Sequence, residues 1–493
     1  RLTAPYRDTP YRLGYFSDNE VGWWGGALFT FYSAKPANNY TKRRWVDALE
    51  RHYHGNWQRF TADFVPPAGA DGWTKLLQAQ AITQLRPGGQ GSAAVRQWTA
   101  IVAEHYYDLA ARALHEADPG ALYLGDRLPI YYDPMAVKAE ARHVDVIATN
   151  YNVDSPEGWI APYYFDGLRA LTRAKPVLVS EWFYAARENR TGNRNNGHLM
   201  TVDTQAERAR GAAAAARNFA GVAELVGLHW FQYYDYPEGG RADREDYNFG
   251  LVDIHDRPYE ALVATLNEAN RALAQIHAAA APVRQRLAGF TVPRAIIDPL
   301  HASLVDWPKP QSLLPALQPA PGEVAFGEAY LSWSEQGLAL ATIGQDYYDL
   351  DLLAYRGDFP LSEAYRIELD VDAGAGPRRF TLYFIPPRSK TRDHPPMMAR
   401  LCAGAAREHE AAICPAVPGA QALYFGADQP RVVGEALIPW RALGLDAPPL
   451  SRRLRVEISA SAWFRSRWMS LSGLPPEEGS ARPRRWAELR LGP

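Results

Sequence analysis

The sequence of 493 residues is poor in cysteine and has neither a long apolar run nor an excess of one charge. Its two cysteines, Cys402 and Cys414, leave open either a local disulfide or two free thiols. No apolar stretch reaches the roughly 18 to 20 residues that a membrane-spanning helix needs. Because the formal charge is only −2, the composition gives no sign of a nucleic acid or anionic membrane as partner. An uncharged or small partner is the expectation.

Aromatic side chains, in contrast, are abundant and include 15 Trp and 27 Tyr. Such rings offer large, partly polar contact surfaces, which suits stacking on sugars. No signal peptide opens the chain, but it starts at Arg1 rather than Met, so a leader could have been removed. We expect a secreted or periplasmic location.

Residues 1–285 alternate short apolar runs with long amphipathic segments, a pattern typical of repeated βα units and a parallel sheet. Five strands are predicted, at 11–16, 121–125, 144–150, 176–180 and 227–232. Helices rich in Ala, Leu, Glu and Arg are predicted at 94–117, 204–220 and 258–279. This region is therefore predicted to be part of an α/β barrel.

Residues 290–493 have a different character, with proline-rich segments followed by alternating, glycine-punctuated strands. Six strands are predicted, at 329–333, 338–343, 364–371, 379–385, 431–438 and 454–460. The expected fold is thus α/β plus all-β, with a β-sandwich after the barrel region and a boundary near residue 290.

Two glutamates each follow an apolar run directly, at the end of a predicted strand. Glu20 follows segment 15–19 and Glu181 follows segment 177–180. Catalytic side chains of parallel α/β barrels lie at this end of the strands. Glycoside hydrolysis needs two carboxyl groups, one to protonate the leaving oxygen and one to attack the anomeric carbon or activate water. A single such Glu would be better explained as a helix cap or salt-bridge partner, but the pair favours catalysis.

Two motifs carry a resemblance to a known family, GYFSDNEVGWWGG at 14–26 and NFGLVDIHDRPY at 248–259. They resemble clan A of the glycoside hydrolases, and most of all the β-agarase family, glycoside hydrolase family 50. The resemblance covers about residues 11 to 270. It implies a (β/α)₈ TIM barrel in which the first visible strand is strand 4. It also implies a retaining mechanism with Glu20, which follows Asn19, as general acid/base and Glu181, at the end of strand 7, as nucleophile.

The same resemblance implies roles for three further residues. Asn19 would bind the sugar 2-hydroxyl, or else cap a loop. Tyr151 would point its hydroxyl at Glu181, or else be a barrel-rim aromatic with a satisfied hydroxyl. Trp230 would form a platform under the sugar beside the scissile bond, with core packing as the rival explanation.

Other candidates fall at predicted strand ends or in the loops that follow, where side chains could bind sugar hydroxyls. They are Trp23, Trp24, Arg127, Trp182, His229, Tyr233 and Asp235, each of which has a structural alternative. The polar run 187–198 is either a subsite wall or lid, or a solvated loop. No residues have metal-ligand spacing and no glycine-rich phosphate loop is present, so neither a metal nor another cofactor is expected.

The sandwich region resembles carbohydrate-binding module family 9 through segments 329–338, 364–372 and 435–444. Five tryptophans are candidates for stacking on sugar or for the core: Trp333, Trp440, Trp463, Trp468 and Trp486. The module is expected to be a structural or sugar-binding appendage, and no ligand is assigned to it.

The function expected from these observations is hydrolysis of β-glycosidic bonds in a polysaccharide or oligosaccharide, with agarose or another galactose-containing glycan implied by the resemblance. Alternatives within the clan are a β-galactosidase, a β-glucanase or a mannanase, because the glutamate pair is common to all of them. A noncatalytic carbohydrate-binding protein is the alternative of a different class.

The start of the barrel raises a further expectation. If 11–16 is strand 4, the three preceding strands and their helices would need on the order of 100 residues. Five parallel strands alone would leave two apolar edges unpaired. We therefore expect a preceding segment, or a second chain, to complete the barrel. Residues 40–90 or 281–325 are the alternative source of strands, but they look too helical or too rich in proline.

Overall fold

The structure is a computed structural model. It describes residues 4–7, 9–23, 26–86, 90–129, 132–153, 155–197, 199–281, 286–299, 304–345, 364–372, 376–385, 398–405, 413–418, 420–424, 431–462, 467–476 and 486–493.

The first part of the chain contains nine α-helices and nine short strands among the residues described. The strands are β1 (Gly14–Tyr15), β2 (Phe64–Val65), β3 (Gln84–Leu85), β4 (Leu122–Tyr123), β5 (Ile147–Asn150), β6 (Val177–Trp182), β7 (Ala185–Ala186), β8 (Thr201–Val202) and β9 (Leu225–Trp230). The helices are α1 (Ala27–Ser33), α2 (Tyr40–His52), α3 (Trp57–Asp63), α4 (Trp73–Gln78), α5 (Gly91–Ala117), α6 (Pro134–Glu140), α7 (Pro162–Thr172), α8 (Gln205–Ala220) and α9 (Glu260–Ala278). A 3₁₀-helix, Ala4–Tyr6, precedes them.

Five of these strands lie side by side in parallel, in the order β1, β4, β5, β6, β9. β1 pairs with β4, and β5 pairs with β6, which in turn pairs with β9. A parallel bridge between Leu128 and Thr149 connects the continuation of β4 to β5. The five strands coincide with the five predicted, so this sequence prediction is confirmed. The central strand β5 is buried at every position, as expected for a parallel strand covered on both faces, although it ends in Thr149 and Asn150.

The predicted helices are confirmed as α5, α8 and α9, with ends shifted by a few residues. The start of α8 is set by a capping box, in which Thr204 and Glu207 satisfy each other's backbone amides. Segment 40–86 is largely helical, as its composition predicts, and contributes only the small antiparallel pair β2–β3. None of its described residues pairs with the five-stranded sheet.

The second part of the chain is β-rich, as predicted. Its strands are β10 (Thr291–Val292), β11 (Gln318–Pro319), β12 (Gly327–Trp333), β13 (Gly337–Gln345), β14 (Ala364–Asp372), β15 (Pro377–Ile385), β16 (Met398–Ala403), β17 (Gln421–Tyr424), β18 (Arg431–Pro439), β19 (Arg453–Ala462), β20 (Arg467–Ser470) and β21 (Ala487–Leu491), with a 3₁₀-helix at Trp440–Leu443. One sheet runs β10-β21-β19-β14-β15-β16 with β20 and β11 at its side, and the other runs β12-β13-β18-β17.

Strands β12 and β13 of the four-stranded sheet are buried on both faces and join the two parts of the chain. On one face, Leu331 and Leu340 share an apolar cluster with Ile367 of the larger sheet. On the other face, Tyr330 and Ile343 belong to the cluster that contains the helices of the α/β part. The molecule is therefore α/β plus all-β with an extensive shared interior. The boundary near residue 290 stays a prediction.

Cys402 and Cys414 form a disulfide, which resolves the alternative that their positions left open. Among the residues described, no helix is long and apolar enough to span a bilayer.

Candidate active site

Glu20 lies at the carboxyl end of the sheet because its segment continues the β1–β4 pairing. The amide of Ser17 donates to the carbonyl of Gly125 at 2.8 Å, and the amide of Glu20 donates to the carbonyl of Asp126 at 3.0 Å. Glu20 has a left-handed backbone, with φ of 52°. Non-glycine residues rarely adopt this conformation, and such strained positions cluster at functional sites. The Glu20 side chain is exposed to solvent.

Glu181 lies at the same edge of the sheet, on β6. Its carbonyl accepts a hydrogen bond of 2.8 Å from the amide of Tyr151, the residue that follows β5. The side chain is largely buried, with 16% of its surface exposed. The fold therefore brings together the two glutamates singled out in the sequence, although 160 residues separate them along the chain.

Asn150, the last residue of β5, lies between the two carboxyl groups. Its Nδ2 is 3.0 Å from Oε1 of Glu20 and 3.2 Å from Oε2 of Glu181. The same nitrogen is 3.2 Å from Oδ1 of Asn19. Ionised carboxylates only accept hydrogen bonds, so the amide nitrogen must face them. The Ser180 hydroxyl donates to Oδ1 of Asn150 at 2.8 Å, and this bond holds the amide in that orientation.

The shared contact bounds the separation of the carboxyl groups. Since the two oxygens lie 3.0 and 3.2 Å from one nitrogen, they are no more than about 6 Å apart, which accommodates the roughly 5 to 5.5 Å of retaining glycosidases. An inverting enzyme needs a wider gap of about 6.5 to 9.5 Å to admit water between the groups. The limit on these two oxygens is compatible with the closer spacing that direct attack by a carboxylate requires.

Arg127 provides the positive charge at this site. Its guanidinium forms an ion pair of 2.8 Å with Oε2 of Glu181 and donates to the carbonyl of Ser180 at 3.2 Å. It also lies over the ring of Phe16, 5.5 Å from the ring centre. Arg127 has a left-handed backbone as well, with φ of 53°. Glu20 and the ion-pair partner of Glu181 thus both have a backbone conformation that non-glycine residues rarely adopt.

The electrostatics of Glu181 reflect opposing effects. Burial, followed by the nearby Glu20 carboxylate, raises the pKa of Glu181 to about 7, while Arg127 acts to lower it. Without the guanidinium the pKa would be higher still. Glu181 is therefore poised to change between its neutral and ionised forms near neutral pH.

Other predicted residues surround this centre. Asn19 lies against Asn150. His229 on β9 is exposed to solvent, and the partial burial of its ring, followed by the charge of Arg127, lowers its pKa. Tyr233 is 61% exposed in the loop after β9 and packs edge-to-face on Tyr234. Trp24 lies outside the described residues.

Tyr151 is placed differently from the expectation that its hydroxyl points at Glu181. The ring is buried and packs on Tyr164 and Phe219. Its hydroxyl accepts a hydrogen bond of 3.0 Å from the amide of Ala161, at the start of α7. The side chain thus points toward the helices, because the apolar cluster there can bury its ring.

Trp182 and Trp230 pack on each other, edge to face, with ring centres 4.8 Å apart. Trp182 is buried against Phe219 of α8, so it does not offer a free face to a sugar. Trp230 is only partly buried, and its indole donates to the carbonyl of Phe249 at 2.9 Å. Its contacts support the rival explanation of core packing for part of the ring.

Trp23, Asp235 and the polar run 187–198 are held in place by hydrogen bonds. Trp23 is buried, and its indole donates to Asp126 at 2.8 Å. Asp235 is also buried and accepts hydrogen bonds of 2.7 Å from the hydroxyls of both Thr191 and Tyr259. The polar run 187–198 is anchored at Thr191, and also through Asn193, whose amide donates to Asp246 at 2.8 Å. Thr191, Asn193 and Asn195 are buried, whereas seven of the eleven described residues of this run are exposed.

In the sandwich, Trp333 and Trp440 are buried in the core, whereas Trp468 and Trp486 are partly exposed. Trp463 lies outside the described residues. Core packing therefore accounts for the first two.

Sequence reasoning missed Asn150 as a site residue. The available signal was its place at the end of a predicted strand, beside the glutamate strand. Its role depends on which way the amide points, and that follows from the neighbouring Ser180 rather than from any pattern in the sequence.

Comparison with known proteins gives two related sequences. The chain is 29% identical to β-agarase A from Vibrio sp. (strain JT0107) over 280 residues, covering 53% of this chain and 27% of that protein. It is 24% identical to β-agarase B from the same strain over 283 residues, covering 55% of this chain and 28% of the relative. The chain thus matches little more than a quarter of the length of these relatives. The resemblance to β-agarases inferred from the motifs is confirmed.

Solved structures of similar proteins include an exo-β-agarase, at 22% identity and a TM-score of 0.49, covering 56% of this chain and 37% of that one. The agarase AgWH50C has 23% identity and a TM-score of 0.46, covering 56% of this chain and 39% of that one. No protein-family model matches the chain.

Proposed function

We propose that this chain carries the catalytic pair of a retaining β-glycoside hydrolase, with Glu181 as nucleophile and Glu20 as general acid/base. The observation that carries the proposal is the contact of both carboxyl groups with one amide nitrogen, that of Asn150. The roles follow from the surroundings. Arg127 pairs with Glu181 and favours the anion that a nucleophile requires, against the rise in its pKa that burial and Glu20 cause. Glu20 faces solvent, where a leaving group and water can reach it.

The proposed reaction has two displacements. In the first, an oxygen of Glu181 bonds to the anomeric carbon, the glycosidic C–O bond breaks, and protonated Glu20 gives its proton to the departing oxygen. In the second, Glu20 takes a proton from water, whose oxygen attacks the anomeric carbon and releases Glu181 as a carboxylate. Asn19 and Asn150 supply polar groups beside the reacting sugar, where hydrogen bonds that strengthen in the transition state accelerate the reaction.

The proposed substrate is a β-linked, galactose-containing polysaccharide, and agarose is the first choice. This rests on the sequence similarity to two proteins named as β-agarases.

The proposal is tested by the variants Glu20→Gln and Glu181→Gln. Each keeps the size of the side chain but removes a carboxyl group, so release of reducing ends from agarose should fall at least about 100-fold. Retention of the protein in an agarose gel should stay unchanged, because binding does not need the acid. Glu335→Gln, at an exposed ion pair with Arg294 in the β-rich part, is the matched control and should keep full activity. Unchanged turnover in either active-site variant would remove that residue from the mechanism.

We further propose that the five parallel strands belong to a (β/α)₈ barrel completed by strands other than those described. Among the described residues, β1 pairs only with β4 and β9 only with β6. Both outer strands present apolar side chains to solvent, with Leu13 beside β1 62% exposed and Val226 on β9 61% exposed. Parallel sheets are rarely left open in this way. A preceding segment or a second chain with parallel strands fits these edges.

We also propose a secreted or periplasmic location. The disulfide between Cys402 and Cys414 supports it, because such bonds persist in oxidising compartments.

A further inference from the structure

Beneath the candidate site lies a second pair of carboxyl groups, those of Asp126 and Glu140. Asp126 immediately precedes Arg127, and Glu140 ends helix α6. Neither side chain has any surface exposed to solvent. Buried carboxyl groups are expensive unless they are neutral, paired with a cation or well supplied with hydrogen bonds.

The hydrogen bonds at this pair are few. Oδ2 of Asp126 accepts from the indole of Trp23 at 2.8 Å. Oδ1 of Asp126 and both oxygens of Glu140 receive no hydrogen bond within the standard distance and angle limits from the described part of the chain. No Lys or Arg in that part forms an ion pair with either group within 4.0 Å.

The backbone is shaped to admit the Glu140 carboxyl group. Gly125 has a left-handed backbone, with φ of 77°, and a Cβ atom there would lie 2.1 Å from Oε1 of Glu140. The carboxyl group is therefore pressed against the backbone one residue before Asp126. Only glycine leaves this space, so Gly125, Asp126 and Glu140 form one packed unit.

This unit contacts both halves of the candidate site. The Asp126 carbonyl accepts the hydrogen bond from the Glu20 amide, and its side chain holds Trp23, three residues beyond Glu20. On the other side, Asp126 is bonded directly to Arg127, the ion-pair partner of Glu181. A shift of Asp126 would move the segments of both proposed catalytic residues.

We infer that Glu140 is a positioning residue: its buried, neutral carboxyl group packs against the backbone of Gly125 and Asp126 and thereby holds the segment that orients Glu20 and Arg127. This inference rests on the proposed function for its catalytic meaning. A second negative charge in this unit would repel the first and weaken the packing that holds the segment in place.

The charge state of the pair supports this inference. Burial, and then the charge of Asp126, raise the pKa of Glu140 well above its usual range. Burial also raises the pKa of Asp126 to about 6, although its bond from Trp23 opposes the rise. The other titratable groups that act on the pair are Tyr106, Tyr107 and Tyr123, whose pKa values are all raised by burial, and Asp18. The tyrosines are therefore neutral near pH 7, and the charge of either carboxyl group opposes ionisation of the other.

The inference is tested with Glu140→Gln and Glu140→Ala in the full chain. Gln is neutral and keeps the size of the side chain, so kcat on agarose should stay within about threefold of the parent. Ala removes the group that packs against the backbone of Gly125 and Asp126, so kcat should fall about 10- to 100-fold, as expected for a misplaced site. The matched control is Glu435, a buried carboxyl in the β-rich part whose pKa burial raises to about 7 and which accepts from the Leu304 amide. Glu435→Ala should lower thermal stability but leave kcat unchanged at a temperature where it is folded.

Two measurements do not need turnover. Infrared spectra recorded near neutral pH should show a protonated-carboxyl band in the parent. This band should be lost in Glu140→Gln and kept in Glu435→Gln. Carboxyl NMR with labelled Glu should show the pKa of Glu181 unchanged in Glu140→Gln and raised in Glu140→Ala, because Arg127 moves away. If the parent does not cleave glycans, these two measurements still decide the positioning role.

Three results would overturn the inference. They are full kcat in folded Glu140→Ala, a loss of kcat in Glu140→Gln as large as in Ala, and no infrared band assigned to Glu140. If Glu140→Ala does not fold, the dependence of thermal stability on pH tests whether Glu140 is neutral.

The parent should lose stability as pH rises above about 4.3, the ordinary pKa of Glu, because the folded state holds the proton and the unfolded state does not. This loss should be smaller in Glu140→Gln, and an equal loss in both proteins would contradict a neutral Glu140 in the folded protein.

Discussion

Arg127 is the residue whose charge sets the working range of Glu181. Removing the guanidinium takes away a hydrogen bond and an attraction that favour the ionised carboxylate, so the pKa of Glu181 should rise further above about 7. The attacking form would then appear only at higher pH. For Arg127→Gln we predict that the acidic limb of the kcat/KM profile moves to higher pH and that activity at pH 6 falls at least about tenfold.

The control for this prediction is Arg453→Gln. Arg453 pairs with Glu488 at 2.9 Å, but both side chains are more than half exposed, so their pair contributes little. The kcat/KM profile of Arg453→Gln against pH should match that of the parent. An unmoved acidic limb in Arg127→Gln would show that Arg127 does not control the ionisation of Glu181.

At the residue scale, the sequence shows which residue types lie at the ends of strands, but it does not show which way their side chains point. The two glutamates are recognisable because each lies at or just beyond the end of a predicted strand, and the fold brings them together at Asn150. The same position at strand ends made Tyr151 and Trp182 candidates for the active site. Both side chains, however, lie in the apolar cluster beside the helices. Which way a side chain points at a strand end depends on local register, and the pairing of β6 with β9 is irregular between Val179 and Trp182.

The end of β9 shows how an element supports the site. Trp230 contacts Trp182 and donates to the carbonyl of Phe249, and these contacts tie the strand to the segment after it. For Trp230→Ala we predict a loss of about 2 to 3 kcal/mol in unfolding free energy, below the roughly 3 to 5 kcal/mol of fully buried aromatic residues. Activity should fall as well, through lost positioning of the β9 end.

Thermal and urea unfolding, together with kcat/KM in the folded protein, test this prediction. Trp468→Ala, at a partly exposed ring in the β-rich part, is the control and should leave kcat/KM unchanged. Full activity in folded Trp230→Ala would mean that the ring neither positions the strand end nor contacts the sugar.

At the scale of elements, period and composition were sufficient to predict the five parallel strands and the three long helices. The predicted strands are short, continuous apolar runs, and the helices are rich in Ala at helical spacing. The joining of the two parts was not predictable in this way. β12 is buried at every position because it packs on both sides, and an apolar run alone does not reveal what covers each face.

At the scale of the whole molecule, the exposed apolar edge on β9 leads to a prediction about assembly. Val226 is 61% exposed in this chain, but it would lie against any strand added beside β9. We predict that Val226→Arg leaves the thermal stability of the chain alone within about 0.5 kcal/mol. It should, however, prevent association with a segment or chain that completes the sheet, because charges on an edge strand block pairing.

Native mass spectrometry of the protein from its source, with any co-purifying polypeptide, measures this effect. Leu450→Arg is the control, since Leu450 is fully exposed in the β-rich part. Equal assembly in the Val226 and Leu450 variants would show that this edge of β9 is not where the barrel is completed.

The most direct test of the account is to trap the covalent intermediate. A 2-fluoro β-galactoside with a good leaving group should label the enzyme once per active site. The fluorine slows both displacements, but the good leaving group keeps the first faster than the second, so the glycosyl-enzyme accumulates. Peptide mapping by mass spectrometry should place the sugar on Glu181, and Glu181→Gln should take up none. A label on Glu20 instead, or an anomerically inverted product from the untreated enzyme, would contradict the assignment of Glu181 as the nucleophile of a retaining glycosidase.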